Sequence, residues 1–346
     1  MRDASGTRRG SPTSTPACRT FTGMARTRLY RDGALVAEDF PVAEISEHLV
    51  DPRSMVWLDL CLSDGDELHT IVEEFSLHSL AVEDAGMEHQ RPKLDRYEEH
   101  LFLAAYSTSV DALTGRLTIA EVSAFITKQA LITVRKDKNF DIDAVVQRWD
   151  ASPDLAATGV GFLLHGLLDY VVDSHFDAVH TLDDAIEGLE DLLFDDRPHD
   201  QQVQRRSFEL RKSLVLLRRV VLPMREVVNT LMRRDLHVID EAMAPYFQDV
   251  YDHVLRATEW TESLRDLVTT ILETNLTIQG NRLNSIMKKV TSWAAVIAVP
   301  TAVTGFYGQN VPYPGYGHWS GFIVSTAVMA VLSVGLYLAF RRRGWI

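Results

Sequence analysis

Two long apolar stretches near the end of the chain dominate the pattern of hydrophobic and polar positions. No Asp, Glu, Lys or Arg occurs in the 51 residues 290–340. Within them, residues 290–309 and 321–340 each supply the roughly 20 apolar positions that a helix needs to cross a hydrocarbon core about 30 Å thick. The residues between them are rich in Pro, Gly and aromatic side chains, which is typical of a short turn. The pattern predicts two membrane-spanning helices joined as a hairpin.

Basic residues at the outer ends of the two spans predict their orientation. Arg282, Lys288 and Lys289 precede the first span and residues 341–343 are all Arg, whereas the connecting turn has no basic residue. By the positive-inside rule, both termini face the cytoplasm and the turn faces outward. Residues 1–24 are basic and rich in Ser, Thr and Pro, and they lack the apolar core of a signal peptide. They are predicted to be a disordered tail.

Residues 25–155 have the pattern of a mixed α/β domain. Apolar and polar residues partly alternate in several short runs, as in a sheet that is covered on at least one face. The predicted strands are residues 54–60, 100–107, 117–125 and 130–134. A helical stretch at 66–75 precedes a second apolar segment at 77–84.

Beyond residue 156 the strand signals disappear and helical spacing takes over. Residues 162–194 are acidic and residues 201–233 are rich in Arg, with a bend expected at Pro223. Their lengths and opposite charges fit an antiparallel helical pair. From Pro245 no proline occurs before Pro300, so one helix of roughly 90–100 Å can run into the first span. Such a helix needs equivalent helices beside it, which predicts an oligomer.

Composition excludes several classes of protein. The sequence contains 35 Lys and Arg against 48 Asp and Glu, a net charge of −13, so it has no surplus of cations to neutralise a nucleic acid. Cys18 and Cys61 are its two cysteines, too few for a disulfide framework or a structural zinc site. Walker A, GxSxG and HExxH motifs are absent, so the sequence gives no indication of an enzyme.

The first span ends in Tyr307, followed by Gly308, Gln309 and Asn310. This ending resembles the signature of the CorA-type divalent-cation transporters, the two-span GxN family. Three other segments are similar to family segments in the same order: HSLAVEDAGMEHQRPK at 78–93, LVLLRRVVLPMREV at 214–227 and YFQDVYDH at 246–253. Ser79 stands where the family has proline. The resemblance covers about residues 30–346.

The resemblance implies an α+β fold and a homopentamer. A cytoplasmic α/β domain and a long helical bundle would form a funnel, and the two C-terminal transmembrane helices would form the pore. The corresponding segments are the tail 1–24, the α/β domain 25–155, the helical domain 156–289 and the transmembrane domain 290–346. The implied partners are further copies of the chain, divalent cations and the lipid bilayer of the plasma membrane.

The resemblance also implies which residues meet the ion. The selectivity motif would be Gly308, Gln309 and Asn310, and the pore below it would be lined by Thr301, Met287, Asn284 and Glu273. Mg²⁺ holds its water tightly, so a pore can recognise the hydrated ion through neutral oxygen acceptors. The resemblance implies Mg²⁺ as the transported ion, with Co²⁺ or Ni²⁺ as surrogates. For Met287, helix packing is an alternative role.

Glu83, Asp84 and Asp249 match carboxylates that the family places between subunits for regulatory Mg²⁺. Carboxylates that face each other across an interface repel until a cation bridges them. High cytosolic Mg²⁺ would then hold the funnel shut, and its loss would open the pore.

Two departures from the family pattern keep other functions open. Gln309 replaces the usual Met, and the turn carries Pro312, Pro314 and His318 instead of the acidic residues of many members. A Zn²⁺ transporter of the same fold is therefore an alternative, with His318 as its one suggestive residue. A membrane-anchored scaffold, in which the hairpin is only an anchor, is the alternative from another class.

Overall fold

The computed structural model describes residues 25–62, 68–87, 91–136, 138–195, 200–233, 236, 238–309 and 312–346. The predicted N-terminal tail lies outside them, as does Asn310. Contacts divide the described residues into two compact units. The first contains the residues up to Ala185 together with Leu210–Arg265, and the second contains Ile186–Glu209 and Asp266–Ile346. The boundaries of these units differ from the boundaries predicted at residues 155 and 289, which stay a prediction.

A seven-stranded sheet forms the centre of the first unit. Its strands are β1 (Arg26–Arg31), β2 (Ala34–Glu38), β3 (Ser54–Cys61), β4 (Lys93–Arg96), β5 (Leu101–Asp111), β6 (Arg116–Ile126) and β7 (Ala130–Arg135). The strand order is β2-β1-β3-β7-β6-β5-β4. The pair β3 and β7 is parallel and the other neighbouring pairs are antiparallel.

Both faces of the sheet are covered, which explains the nearly continuous apolar runs in its central strands. Successive side chains of β3 point to opposite faces. Trp57 therefore packs in one core, where Trp149 lies 4.9 Å away between ring centroids. Val56 and Leu58 belong to the core on the other face. Burial on two sides fixes the register of the strands.

Eight α-helices accompany the sheet among the described residues. They are α1 (Ile45–Leu49), α2 (Leu68–Glu74), α3 (Ser79–Gly86), α4 (Ile142–Ala151), α5 (Val160–Phe194), α6 (Asp200–Leu231), α7 (Ala244–Tyr307) and α8 (Trp319–Arg342). The core that contains Trp57 also receives residues from α4 and from the first-unit parts of α5, α6 and α7. The core on the opposite face is completed by α1, α2 and α3.

The predicted elements are confirmed where they were strongly apolar. All four predicted strands form, as do the long helices over 162–194 and 201–233 and the continuous helix from about residue 245 into the first span. Pro223 lies inside α6 and Pro300 inside α7, and neither proline ends its helix. The segment predicted at 77–84 forms α3, two residues later than expected.

Three strands and the helices α1 and α4 were not predicted, because each is either short or rich in polar residues. Strand β4 reads KLDR and β1 reads RTRLYR. In β1 the buried Arg28 is neutralised by Glu38 at 2.6 Å and by Asp150 at 2.7 Å. The two carboxylates neutralise the buried guanidinium group, so Arg28 can lie in a buried strand. The sequence pattern alone shows only a polar residue at this position.

The second unit contains the end of α7 and all of α8. Both helices are long and apolar enough to cross a membrane. Trp293 of α7 and Tyr337 of α8 lie 6.2 Å apart between ring centroids. In the turn between the helices, Gly315 adopts a φ of +90° and lies against Gly321. A Cβ atom on Gly321 would lie 2.5 Å from the carbonyl oxygen of Gly315, so only glycine permits this close approach.

Candidate ion pathway and regulatory carboxylates

The four residues expected to line a pore lie along one side of α7. Glu273, Asn284, Met287 and Thr301 are all exposed. At 3.6 residues per turn, their positions fall within an arc of about 100° around the helix axis. Over these 29 residues the helix is unbroken. The structure therefore brings the predicted lining residues onto one face, although each could have lain on a different side.

This part of α7 carries apolar side chains that the other described residues leave uncovered. No residue of 281–290 is buried, and Leu283, Met287 and Val290 are 64%, 61% and 59% exposed. Apolar surface of this extent is a mark of contact with other molecules, either lipid or protein. Met287 is largely uncovered by the residues that the structure describes, so its predicted alternative as a packing residue would require a second copy.

The hydroxyl group of Thr301 is prepared to accept hydrogen bonds. Its Oγ1 donates its proton to the carbonyl oxygen of Ile297 at 3.2 Å, within the helix. Because the proton is used there, the free lone pairs of the oxygen face away as acceptors. Such an oxygen suits the water molecules that surround a hydrated cation, because each coordinated water is a donor.

Gly308 closes α7 in a geometry that a side chain would disturb. Its N–H donates to the carbonyl oxygen of Thr304 at 2.8 Å, and the N–H of Gln309 donates to that of Phe306 at 3.4 Å. A Cβ atom at Gly308 would lie 2.9 Å from the carbonyl oxygen of Thr304. The glycine of the GxN motif thus permits the tight end of the helix. Asn310, the third residue of the motif, lies outside the described residues.

Aromatic rings and glycines order the turn beyond this motif. Tyr313 contacts Tyr307 at 4.9 Å and Tyr316 at 5.3 Å between ring centroids, edge to face in both cases. A cavity of about 620 Å³ lies beside them, between the end of α7 and the start of α8. His318 occupies the N-cap position of α8 without a side-chain capping bond. It lines this cavity, but the described part of the chain brings no cluster of three metal-ligating residues to it.

Charge changes sign along the chain at Glu273. This residue is the last carboxylate of the sequence, and all 48 acidic residues but only 29 of the 35 basic residues precede position 274. The six remaining cations are Arg282, Lys288, Lys289 and the three arginines 341–343. Arg282 pairs with Asp200 at 3.0 Å. At the ends of the two spans that lie away from the connecting turn, the flanking charged residues are therefore all cations.

The first two predicted regulatory carboxylates lie on α3, and they differ in their surroundings. Glu83 is exposed. Asp84 is half-buried and accepts a hydrogen bond from Nζ of Lys93 at 2.6 Å, while Asp95 lies 2.9 Å from the same nitrogen. Burial opposes the charge on Lys93, but the two carboxylates outweigh it and raise its pKa. Asp84 therefore already has a cation beside it.

The start of α3 is fixed by the residues of the family-like segment. His78 is its N-cap, and its Nδ1 accepts a hydrogen bond from the N–H of Leu80 at 3.2 Å. The ring of His78 also stacks on Tyr97 at 4.6 Å. Ser79 occupies the first helical position, where proline is favourable because no partner for its N–H is needed. The substitution of Ser for the family's proline therefore leaves the helix start intact.

Asp249, the third predicted carboxylate, lies on the first turns of α7. Its side chain is 66% exposed, and Oδ2 lies 3.7 Å from Nδ1 of His253. The neighbours Phe247 and Val250 are buried, so the helix turns Asp249 toward solvent. Nearby, burial lowers the pKa of His165, whose ring contacts Phe247.

The structure does not bring the three carboxylates together within one subunit. Glu83 and Asp84 lie on α3 and Asp249 lies on α7, and no group of three Asp, Glu, His or Cys residues that could hold a metal occurs in the described ranges. A cation site made from them requires a second copy of the chain. Lys93 is the residue that sequence reasoning missed: it ends the segment 78–93, and only its position beside Asp84 reveals its role as a counter-ion.

Comparison with known proteins agrees with this arrangement. The family described as "CorA-like Mg2+ transporter protein" matches residues 52–342, which is most of the chain. The chain belongs to this family. Members of the CorA family are membrane proteins with two C-terminal spans. The resemblance inferred from the four sequence segments is confirmed, as is the α+β fold with two C-terminal apolar helices.

Relatives and solved structures cover nearly the whole CorA-like chain. The cobalt/magnesium transport protein CorA of Thermotoga maritima is 30% identical over 86% of this chain and 85% of its own length. The putative metal ion transporter YfjQ of Bacillus subtilis is also 30% identical, over 84% and 89%. The complete CorA structure from Methanocaldococcus jannaschii covers 94% of this chain and 100% of its own, with 24% identity and a TM-score of 0.74.

Proposed function

We propose that five copies of this chain assemble into a channel that carries Mg²⁺, and also Co²⁺ and Ni²⁺, into the cytoplasm. Membership of the CorA-like family supports transport, and the name of the Thermotoga maritima relative supports Mg²⁺ and Co²⁺. The observation that carries the proposal is the side of α7 on which the predicted lining residues are aligned. It presents Glu273, Asn284, Met287 and Thr301 in line with the Gly308 turn, on a stretch of helix that the other described residues leave largely uncovered.

In the proposed channel, equivalent α7 helices surround the pore. Gly308, Gln309 and Asn310 form a ring of neutral oxygen acceptors at the outer mouth, and each acceptor meets a water molecule of the hydrated ion. Further in, Thr301 and Asn284 supply additional oxygens. A carboxylate in this stretch would hold a divalent ion too firmly, and none follows Glu273. Glu273 receives the ion at the cytoplasmic side.

We place the channel in the plasma membrane with both termini in the cytoplasm. The cations at the ends of α7 and α8 away from the turn support this orientation by the positive-inside rule. The α/β domain 25–155 and the helical domain 156–289 then lie in the cytoplasm, and the transmembrane domain is 290–346. An inside-negative potential drives uptake, and transport needs no nucleotide.

We further propose that cytosolic Mg²⁺ regulates opening through Glu83, Asp84 and Asp249 at the contacts between subunits. The exposure of Glu83 and Asp249 makes them available to a neighbouring copy. A bound Mg²⁺ would bridge carboxylates that otherwise repel one another. When no ion is bound, the Asp84 carboxylate pairs with the Lys93 ammonium group. When Mg²⁺ binds, Asp84 leaves Lys93 and contacts the divalent cation instead.

Transport is tested with the full chain in liposomes that contain a fluorescent indicator, with Mg²⁺ and Zn²⁺ measured in parallel. Under an inside-negative potential we expect Mg²⁺ entry, and we expect Asn310→Ala to lose most of it. The matched control is Asn229→Ala, which removes an exposed amide from α6, outside the spans. Entry of Zn²⁺ alone would assign the chain to zinc transport. Flux of neither ion would indicate that the hairpin only anchors the protein, and equal flux in both variants would exclude Asn310 from the ion pathway.

Regulation is tested by limited proteolysis of the full chain with and without Mg²⁺. The triple variant Glu83→Gln, Asp84→Asn, Asp249→Asn should lose most of the protection that Mg²⁺ confers. The control replaces three exposed carboxylates elsewhere, Glu47→Gln, Asp154→Asn and Asp184→Asn. Equal protection in the two triple variants would remove the regulatory assignment and leave the transport proposal intact.

A further inference from the structure

The end of α8 carries a helix cap that fixes an aromatic side chain beside three arginines. Gly344 adopts a φ of +69° and its N–H donates to the carbonyl oxygen of Arg341 at 3.1 Å. The N–H of Trp345 donates to that of Phe340 at 3.0 Å. These two bonds and the left-handed glycine define a Schellman motif, which commonly adds an apolar contact between the flanking residues. Here the rings of Trp345 and Phe340 stack at 5.6 Å with an interplanar angle of 10°.

The arginines in this cap are exposed and have no carboxylate partner among the described residues. Residues 341–343 are all exposed, and none of them takes part in an ion pair within the described ranges. The C-terminal partial charge of a helix favours cations in its last turn. That effect accounts for Arg341 and Arg342 but not for Arg343, which lies beyond the helix, nor for the docked Trp345.

The hairpin brings two lysines to the same end of the spans as the three arginines. Trp293 contacts Tyr337, so these two rings mark a common level on α7 and α8. Lys288 and Lys289 precede Trp293 by five and four residues, and the arginines begin four residues after Tyr337. At 1.5 Å per residue, both groups lie about 6–8 Å beyond the aromatic pair, in the same direction. Exposed cations beyond a belt of aromatic rings are expected at the depth of lipid headgroups.

We propose that this surface, formed by Lys288, Lys289, the three arginines 341–343 and Trp345, binds anionic phospholipids of the adjoining leaflet. The arginine guanidinium groups bind the headgroup phosphates in bidentate fashion, and the Trp345 ring packs at the level of the glycerol backbone. The proposal depends on the two spans of the family and is independent of which ion is transported. The cap is essential to it, because the cap holds Trp345 toward the membrane.

The test measures lipid binding to the full chain in detergent micelles by native mass spectrometry. Dioleoyl phosphatidylglycerol is compared with dioleoyl phosphatidylcholine, and each cation near an anionic lipid surface contributes roughly fivefold to partitioning. The wild type should prefer the phosphatidylglycerol by about tenfold or more, and Arg341→Gln, Arg342→Gln, Arg343→Gln should lose at least most of that preference. Replacement of all three by Lys should retain most of it, since charge is kept.

The matched control is Arg205→Gln, Arg206→Gln, Arg211→Gln, which removes three exposed arginines of α6. It should leave the lipid preference unchanged. Trp345→Ala removes the docked ring, and Gly344→Ala strains the left-handed cap that positions it. Neither variant changes the charge, so each should weaken the binding of both lipids similarly. Three results would overturn the proposal: an unchanged preference in the first triple variant, an equal loss in the control, or displacement of the lipid by inorganic phosphate at the same concentration.

Discussion

Helices α5 and α8 are built from similar apolar residues but meet opposite surroundings. In α5, the four leucines 163, 164, 167 and 168 have no exposed surface. In α8, none of the 18 residues of the most apolar stretch is buried. The first helix finds its cover inside its own unit, whereas the second must be covered by molecules outside the chain. Composition alone does not distinguish the two situations, but the folded chain does.

The polar groups of the two units differ in the same way. The first unit buries charge where it can be paired: Asp59, whose side chain is 1% exposed, accepts hydrogen bonds from Arg135 and Thr133. The second unit has no acidic residue after Glu273, and its spans carry hydroxyl groups that bond to their own helix. A unit that packs against itself can pair buried ions, while helices that face lipid satisfy polar groups locally.

The largest expected effect comes from removing the same side chain in each helix. Leu167→Ala opens a cavity in a closed core and should reduce the free energy of unfolding by about 2–5 kcal/mol. Leu332→Ala in α8, where the side chain is 49% exposed, should change it by less than about 0.5 kcal/mol. Urea unfolding of the full chain in detergent, followed by circular dichroism, measures both. Equal losses would mean that α8 has a tight packing partner within the chain.

A smaller effect is expected from acid. Complete burial lowers the pKa of His175 to about 4, while its unfolded value is about 6.5. Between these values the unfolded chain binds more protons, so stability is full above pH 6.5 and falls as the pH is lowered. The expected loss from this histidine is about 2 kcal/mol between pH 6.5 and 5.

His175→Gln removes the titration and should flatten the dependence of the urea midpoint on pH. Burial also lowers the pKa of His100 and of His165, so part of the dependence should remain. The control is His180→Gln, an exposed position on the same helix, which should keep the full slope. A variant slope identical to that of the wild type would exclude His175 as its source.

The smallest effect compares two helix starts. Asp141 caps α4, and its Oδ1 accepts a hydrogen bond from the N–H of Ala144 at 3.1 Å. Asp141→Ala should cost about 1 kcal/mol of unfolding free energy. His318 holds the same position in α8 without such a bond, so His318→Ala should leave stability almost unchanged. If His318→Ala also leaves Zn²⁺ flux unchanged, the one residue that favoured a zinc transporter has no part in it.

The sequence was most informative where one requirement dominated. A span needs an unbroken apolar stretch and a central strand needs burial on both faces, so α7, α8, β3 and β7 could be predicted. Strand β4 could not, because none of its four residues is buried and its place depends on pairing with β5. Likewise β1 contains Arg28, whose burial depends on partners that lie far away in sequence.

The candidate site follows the same division. The family resemblance assigned Glu273, Asn284, Met287 and Thr301 to a pore, and in the structure these residues lie along one side of an unbroken helix. The contact of Lys93 with Asp84 could not be predicted, since it requires β4 to lie beside α3. The role of each residue in transport and regulation stays a prediction that the flux and proteolysis experiments address.

The one-sided distribution of charge along the chain has a consequence for ion supply. Residues 1–273 contain 48 acidic and 29 basic residues, and exposed carboxylates such as Glu83 and Asp249 belong to this excess. A negative potential enriches each counter-ion by a Boltzmann factor, and for a divalent ion that factor is the square of the monovalent one. Near this part of the protein, the ratio of divalent to monovalent cations is therefore higher than in bulk solution, and the bound layer of counter-ions is a local reservoir of divalent ions. Raising the ionic strength would empty that reservoir.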